Sequence, residues 1–228
     1  MAQMQLTLQP RLQAIADLVP QGSRIADVGT DHGYLPIYLL QRNRISCAIA
    51  TDIRPGPLEH GKRTAREWGR EHQISFRLCD GLAEVSPQEV DTVVIAGMGG
   101  ETIAAILDAV PWCHEKELLL QPMSRAEFLR PWLAVHHYRI QEEQLVLDKG
   151  HIYPILRATG GQMDPPSPGE RYYGFSKVEC PLFRDYLQDW CRRLQLASDG
   201  LRNTREPGAR LYALEEALRA LKEKEGTL

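Results

Sequence analysis

One stretch, Ala26-Asp27-Val28-Gly29-Thr30-Asp31-His32-Gly33-Tyr34-Leu35-Pro36, constrains this chain more than any other. It completes the short apolar run 24–28, so it reads as a buried strand that ends in a tight glycine turn and feeds a helix. Gly29 and Gly33 lack a Cβ and accept positive φ, which lets a ligand come close to the backbone. Pro36 has no N–H and is tolerated only in a first helical turn, so the spacing predicts a helix opening near Tyr34. The N–H groups of such a turn face outward and suit the carboxylate or phosphate of a nucleotide-like ligand.

The rest of the chain alternates around this unit. Residues 8–19 set Leu8, Leu12, Ile15, Ala16 and Val19 on one helical face, and Pro20-Gln21-Gly22 ends that helix. After the turn, helix 35–40 leads to strand 46–51 ending in Asp52, then helix 58–68 and strand 74–78 ending at Asp80-Gly81. Strand 92–96 is expected to stop at Gly97-Met98-Gly99-Gly100; helix 101–109, strand 117–121 and helix 125–135 follow. The pattern predicts an α/β fold whose parallel sheet is covered on both faces. Runs 138–147 and 152–158, joined through Asp148-Lys149-Gly150, predict an antiparallel hairpin closing one edge.

Residues 160–169 contain three prolines and read as a linker, which divides the chain into a main domain, 1–160, and a helical hairpin, 161–228. In the second part Leu187, Trp190, Leu194, Ala197 and Leu201 step by three and four. Leu211, Leu214, Leu218 and Leu221 do the same, with Glu206-Pro207-Gly208 breaking the two helices apart. A chain of 228 residues has room for this plan.

Charge and cysteine content exclude more than they assign. The formal net charge of −3 does not announce a nucleic-acid binder, although a basic face can hide in a neutral average. No apolar run approaches the roughly 20 residues needed to cross a bilayer, and the start, Met1-Ala2-Gln3-Met4-Gln5, lacks a basic segment before an apolar one. The expected location is therefore the cytoplasm, without a membrane partner. Five widely spaced cysteines with no Cys-x-x-Cys pair predict free thiols, and His114, His136 and His137 show no metal-ligand spacing, so no metal is expected.

In a sheet of this type ligands bind beyond the carboxyl ends of the strands. The chemically suggestive residues fall there without selection: Asp27 to Gly33, Asp52-Ile53, Asp80-Gly81, Gly97 to Gly100, and Gln121-Pro122. Asp52 lies nineteen positions beyond Gly33, the separation at which an acidic side chain reaches ribose hydroxyls, although it would equally cap the next helix. A dinucleotide site requires Gly-x-Gly-x-x-Gly, whereas the chain has Gly29-x-x-x-Gly33 with no third glycine. The pattern fits better the Asp/Glu-x-Gly-x-Gly-x-Gly form of S-adenosylmethionine (SAM) sites, with Asp31 in the middle glycine slot.

Together the Asp27 to Pro36 string, Asp80-Gly81-Leu82, the run from Asp91 to Gly100 and Leu120-Gln121-Pro122 resemble the bacterial TrmK family of tRNA methyltransferases. The resemblance covers most of residues 8–160. It departs at Met123, where the family has Gln-Pro-Asn, and Tyr172-Tyr173-Gly174-Phe175 matches its Phe/Tyr-Gly-Pro only loosely. It implies a Rossmann-like class I SAM-dependent methyltransferase domain with a coiled-coil-like helical appendage, methylating N1 of adenine 22 in tRNA. The oligomeric state stays open, as do a small-molecule or protein methyltransferase and a non-catalytic SAM-binding module.

On that reading Asp27, Gly29, Thr30, Gly33 and Tyr34 hold the methionine end of SAM, Asp52 and Ile53 the ribose, and Asp80, Gly81 and Gly97 the adenine side. Met98, Gly99, Gly100, Gln121 and Pro122 face the substrate. Asp31 and His32 are the candidate catalytic pair: Asp31 to stabilise or deprotonate the cationic product ring, His32 to orient the base. Each has a structural alternative, Asp31 as the holder of the loop and His32 as packing beneath the cofactor. Arg184, Arg192, Arg193, Arg202, Arg205 and Arg210 make the C-terminal helices a candidate phosphate contact, and Lys62, Arg63, Arg66 and Arg70 form a second stripe.

Overall fold

The computed structural model describes residues 6–175, 180–202 and 208–228. Among these, β1 (Ser23–Val28), β2 (Ile45–Asp52), β3 (Ile74–Leu78), β4 (Thr92–Gly99), β5 (Glu117–Ser124), β6 (Tyr138–Asp148) and β7 (His151–Gly160) form one sheet. The order is β3-β2-β1-β4-β5-β7-β6. The first five strands pair in parallel, and β7 inserts antiparallel between β5 and β6. The expected edge hairpin is thus present, with its second strand meeting the sheet.

Strands buried on both faces need unbroken apolar runs, and residues 93–95 and 118–120 supply them, all fully buried. Helices α1 (Pro10–Leu18), α2 (Tyr34–Gln41) and α3 (Pro55–Glu67) cover one face through Ile15, Leu39 and Ala65. Helices α4 (Gly100–Asp108) and α5 (Ala126–Val135) cover the other through Ile103 and Leu129. Chain order reverses between β1 and β4, so a crevice opens above their carboxyl ends.

Strands β4 and β5 run past the carboxyl ends expected for them. β4 continues through Gly97-Met98-Gly99 and β5 through Pro122-Met123-Ser124, with Met98 opposite Pro122 and register shifts on either side of Met98. Gly97, at φ +78°, makes the irregularity possible, and a proline is tolerated where the ladder is already broken.

Helices α6 (Glu170–Tyr173), α7 (Phe183–Arg202) and α8 (Gly208–Glu225) follow the linker. Leu187, Leu194, Leu218 and Leu221 form the buried seam, as the spacing implies. Ala197 corrects it: that residue is exposed and Ser198, one step on, is buried, because i to i+4 spacing from Leu194 reaches 198. Arg205 and the Glu206-Pro207 break lie outside the described residues, as do Met1 to Gln5. The seam is joined by Leu145 and Ile152, so the helices pack on the β6–β7 hairpin.

A buried ion pair reinforces this docking. Arg130 Nη2 of α5 lies 2.6 Å from Glu143 Oε1 of β6, with neither side chain exposed. Its Nη1 donates to the carbonyls of Arg171 and Tyr172. Burial alone would discharge Arg130, but Glu143 outweighs it and holds the guanidinium above its ordinary pKa.

Candidate functional site

A cleft of about 1040 Å³ opens where the chain order reverses. Its floor comes from the ends of β1, β2 and β4, and one wall from the turn between β1 and α2. In that turn Gly29, Asp31 and Gly33 all adopt positive φ, at +73°, +48° and +71°. Asp is one of the few side chains that tolerates this region, which explains how a carboxylate occupies a glycine slot. A Cβ on Gly29 would overlap Met98 Cε, so the Met98 side chain packs in this position against a bare residue 29.

The turn uses several of its amides internally. Gly29 and Thr30 N–H donate to Thr51 O at 2.8 and 3.1 Å, and Gly33 N–H donates to Thr30 O at 2.9 Å. The expectation that this turn's amides face a ligand therefore narrows to Asp31, His32 and the first residues of α2.

Asp27 lies beneath the turn, almost fully buried, and accepts from Thr30 Oγ1 at 2.6 Å. Burial raises its pKa to about 6, against the lowering effect of the Thr30 hydroxyl. Asp52, at the end of β2, takes Arg54 N–H on Oδ1 at 2.9 Å, a local turn into α3, while lining the cleft. It serves the turn and faces the ligand space at once. Thr51 Oγ1 donates to Gly81 O at 2.8 Å and so fixes the β3 end beside it.

The cleft brings together most of the residues singled out by sequence. Asp27, Gly29, Thr30, Asp31, His32 and Tyr34 line it, with Asp52, Ile53, Asp80 and Gly81 on one side and Gly97, Met98 and Gln121 on the other. Gly33, Gly99, Gly100 and Pro122 do not. Gly33 packs on Gly61 of α3, and a Cβ on Gly100 would overlap Arg125 O, so it admits close contact of α4 with the start of α5. Pro122 instead faces a second, smaller cleft.

His32 stacks between Tyr34 (5.2 Å) and His60 (5.3 Å), and its Nε2 lies 3.7 Å from Asp31 Oδ2. The Asp31 side chain is 70% exposed at the rim. His60 has no distinguishing mark in the sequence; only the fold of α3 against the turn reveals it.

The other omission is the lead-in segment. Leu6, Leu8, Gln9, Arg11 and Leu12 roof the cleft. Arg11 reaches across it, with Nη1 donating to Gln121 Oε1 at 3.1 Å and Nε to the buried Asp148 at 2.5 Å. Gln121 Oε1 also accepts Gly97 N–H at 3.1 Å, so the carboxamide ties β4, β5 and α1 together. Among the described residues no group of three or more His, Cys, Asp or Glu is placed to hold a metal. No helix there is long and apolar enough to cross a membrane.

Residues 8–156 match the family described as "Methyltransferase domain". The chain is 35% identical over 197 residues to a Bacillus subtilis (strain 168) protein named tRNA (adenine(22)-N(1))-methyltransferase, covering 84% of this chain and 83% of that one. It superposes on the crystal structure of the B. subtilis M1A22 tRNA methyltransferase TrmK with a TM-score of 0.81, at 30% identity, over 97% of this chain and 100% of the other. It also superposes on M. capricolum TrmK in complex with S-adenosyl-homocysteine, with a TM-score of 0.80 at 26% identity, over 96% and 98% of the two chains.

Proposed function

Because the chain belongs to the tRNA (adenine(22)-N(1))-methyltransferase family, within the methyltransferase-domain proteins, we propose that it methylates N1 of adenine 22 in tRNA, using SAM. The observation that carries this reading is the convergence of five strand ends on one cleft whose acidic and glycine positions suit that cofactor. Asp52 offers a carboxylate for the ribose diol, Gly97, whose Cβ position is open, admits the ligand to the backbone, and the buried Asp27 supplies a negative charge for the methionine ammonium. SAM, when bound, supplies an electrophilic methyl on a sulfonium.

The chain's own residues then have a limited task. Adenine N1 carries an in-plane lone pair, so no base is needed to expose it, and alignment is the main requirement. Methylation leaves the ring cationic until the exocyclic amine loses a proton. Asp31, exposed at the rim beside His32, is the carboxylate assigned to stabilise that charge or take the proton. Met98 forms an apolar wall, and Gln121, fixed by Arg11 and Gly97, orders the substrate side.

Residues 161–228 are assigned to tRNA, with arginines of α7 and α8 on phosphates. A tRNA substrate supports a cytoplasmic location. The test is nucleoside analysis of tRNA after incubation with protein and SAM. N1-methyladenosine at position 22 is expected; SAM binding without methylation of any RNA sinks the assignment.

A further inference from the structure

A second cleft, of about 440 Å³, lies beside the first at the junction of the sheet and α7. Met123 of β5, His151 and Tyr153 of β7, and Trp190 and Arg193 of α7 line it. Arg11 connects the two spaces. Arg11, which lines the first cleft and holds Gln121, also places Nη1 2.8 Å from Met123 Sδ and its guanidinium carbon 5.2 Å from the Tyr153 ring centroid. Arg11 thus stands between Gln121 of the first cleft and Met123 and Tyr153 of the second.

The chemistry of this surface is unlike a phosphate site. Arg193 is paired with Asp189 at 2.6 Å, Arg125 with Glu101 at 2.9 Å, and Arg11 with Asp148. Asp189 is shared between Arg193 and Arg192, so local carboxylates offset the cationic charge only in part, and what the cleft presents is rings and guanidinium planes. Arg193 lies over the Trp190 ring at 5.3 Å, and His151 and Tyr153 stand 6.2 Å apart. Met123, 37% exposed, adds an apolar edge between the clefts. Aromatic and guanidinium planes are the means by which proteins hold an unstacked base.

We propose that this cleft seats the base of a nucleotide flanking the target adenine, by stacking on Tyr153 and Trp190. The proposal rests on the tRNA reading above. It makes α7 part of the reaction-centre surface: the nucleotide next to the extracted adenine is held by residues of both the sheet and the C-terminal helices. An adenine drawn from its stack must leave its neighbour displaced, and a stacking surface beside the pocket offsets that cost.

The experiment measures tRNA methylation kinetics and tRNA binding against salt for the full chain carrying Tyr153→Leu, Trp190→Leu or the matching Phe substitutions. SAM titration serves as the control for folding. Wild-type protein that forms no N1-methyladenosine removes the tRNA reading itself. Where it does form, each Leu variant is expected to raise KM for tRNA about tenfold, with SAM affinity and the slope of log K against log salt unchanged, and Phe is expected to restore most of the loss. Unchanged KM in both Leu variants overturns the proposal, as does a loss accompanied by a shallower salt slope, which marks a phosphate contact. The two residues sit on different elements, so misfolding of one variant leaves the other to decide.

Discussion

Arg11 and Gln121, 110 positions apart in the chain, meet at 3.1 Å across the mouth of the main cleft. The contact joins the roof helix to the strand end on the substrate side, and Asp148 completes it from the hairpin. Replacing Arg11 leaves the Asp148 carboxylate buried and unpaired, which costs about 3 kcal/mol. Arg11→Met is expected to lower the urea midpoint at unchanged m-value and to weaken SAM binding by loosening the roof. Arg11→Met combined with Asp148→Asn should recover much of the stability. A midpoint equal to wild type in the single variant would remove this pair from the fold's support.

Asp31 has a backbone that most substitutions cannot adopt without strain. At φ +48° an alanine costs about 1 kcal/mol, so Asp31→Ala confounds a lost carboxylate with a distorted turn. Asp31→Gly separates the two. It is expected to bind SAM as wild type does and to lose about 100-fold in kcat, within the range for a general acid or base. A normal kcat at saturating SAM and tRNA makes Asp31 a loop residue only.

Asp52 has one oxygen engaged with Arg54 N–H and a carboxylate facing the cleft. Asp52→Asn keeps the turn but loses the charge, and it should weaken SAM binding about tenfold, the scale of a charge-assisted hydrogen bond. Asp52→Ala should lose more, because the turn into α3 goes too. Wild-type affinity of both variants in calorimetry takes Asp52 out of the site.

Asp27 predicts a pH dependence with a definite sign. Its folded pKa of about 6 lies above its ordinary 3.8, so the fold holds the proton more tightly than the unfolded chain. The stability this contributes is complete below about pH 4 and is lost as pH rises through 6, a change on the order of 3 kcal/mol. Asp27→Asn is expected to flatten urea midpoints between pH 5 and 7.5 and to be the more stable protein at the upper end. SAM binding by the wild type should run the other way, tightening as pH rises through 6, because the ligand ammonium favours the ionised carboxylate. Equal pH profiles for wild type and Asp27→Asn refute the assignment.

The arginines of the C-terminal helices are better tested singly than by truncation. Deleting residues 165–228 strips Arg130 of the Arg171 and Tyr172 carbonyls and uncovers Leu145, so lost activity would say little about RNA. Arg184→Glu and Arg210→Glu change exposed positions and should weaken tRNA binding, each reducing the salt slope by about one if it neutralises a phosphate. Filter binding across a salt series reads both numbers.

The strand, turn and helix around Asp27 to Pro36 were legible because their determinants are local: an apolar run, glycines able to take positive φ, and a proline confined to a first turn. The gathering of strand-end residues followed from the same local pattern plus the rule that parallel sheets bind at their carboxyl ends. Tertiary structure alone decided what covers those ends. Helical periodicity shows that α1 has an apolar face but not that the segment leading into it, with Arg11 and Leu12, roofs the cleft, and nothing in the chain pairs Arg11 with Asp148 or Arg130 with Glu143 before the hairpin inserts β7 beside β5. It likewise separated Gly29, which is bare toward Met98 in the cleft, from Gly100, which is bare toward Arg125 in the packing. Local propensity acts within a few residues, whereas a buried charge finds its partner only where distant segments have been packed together and water excluded.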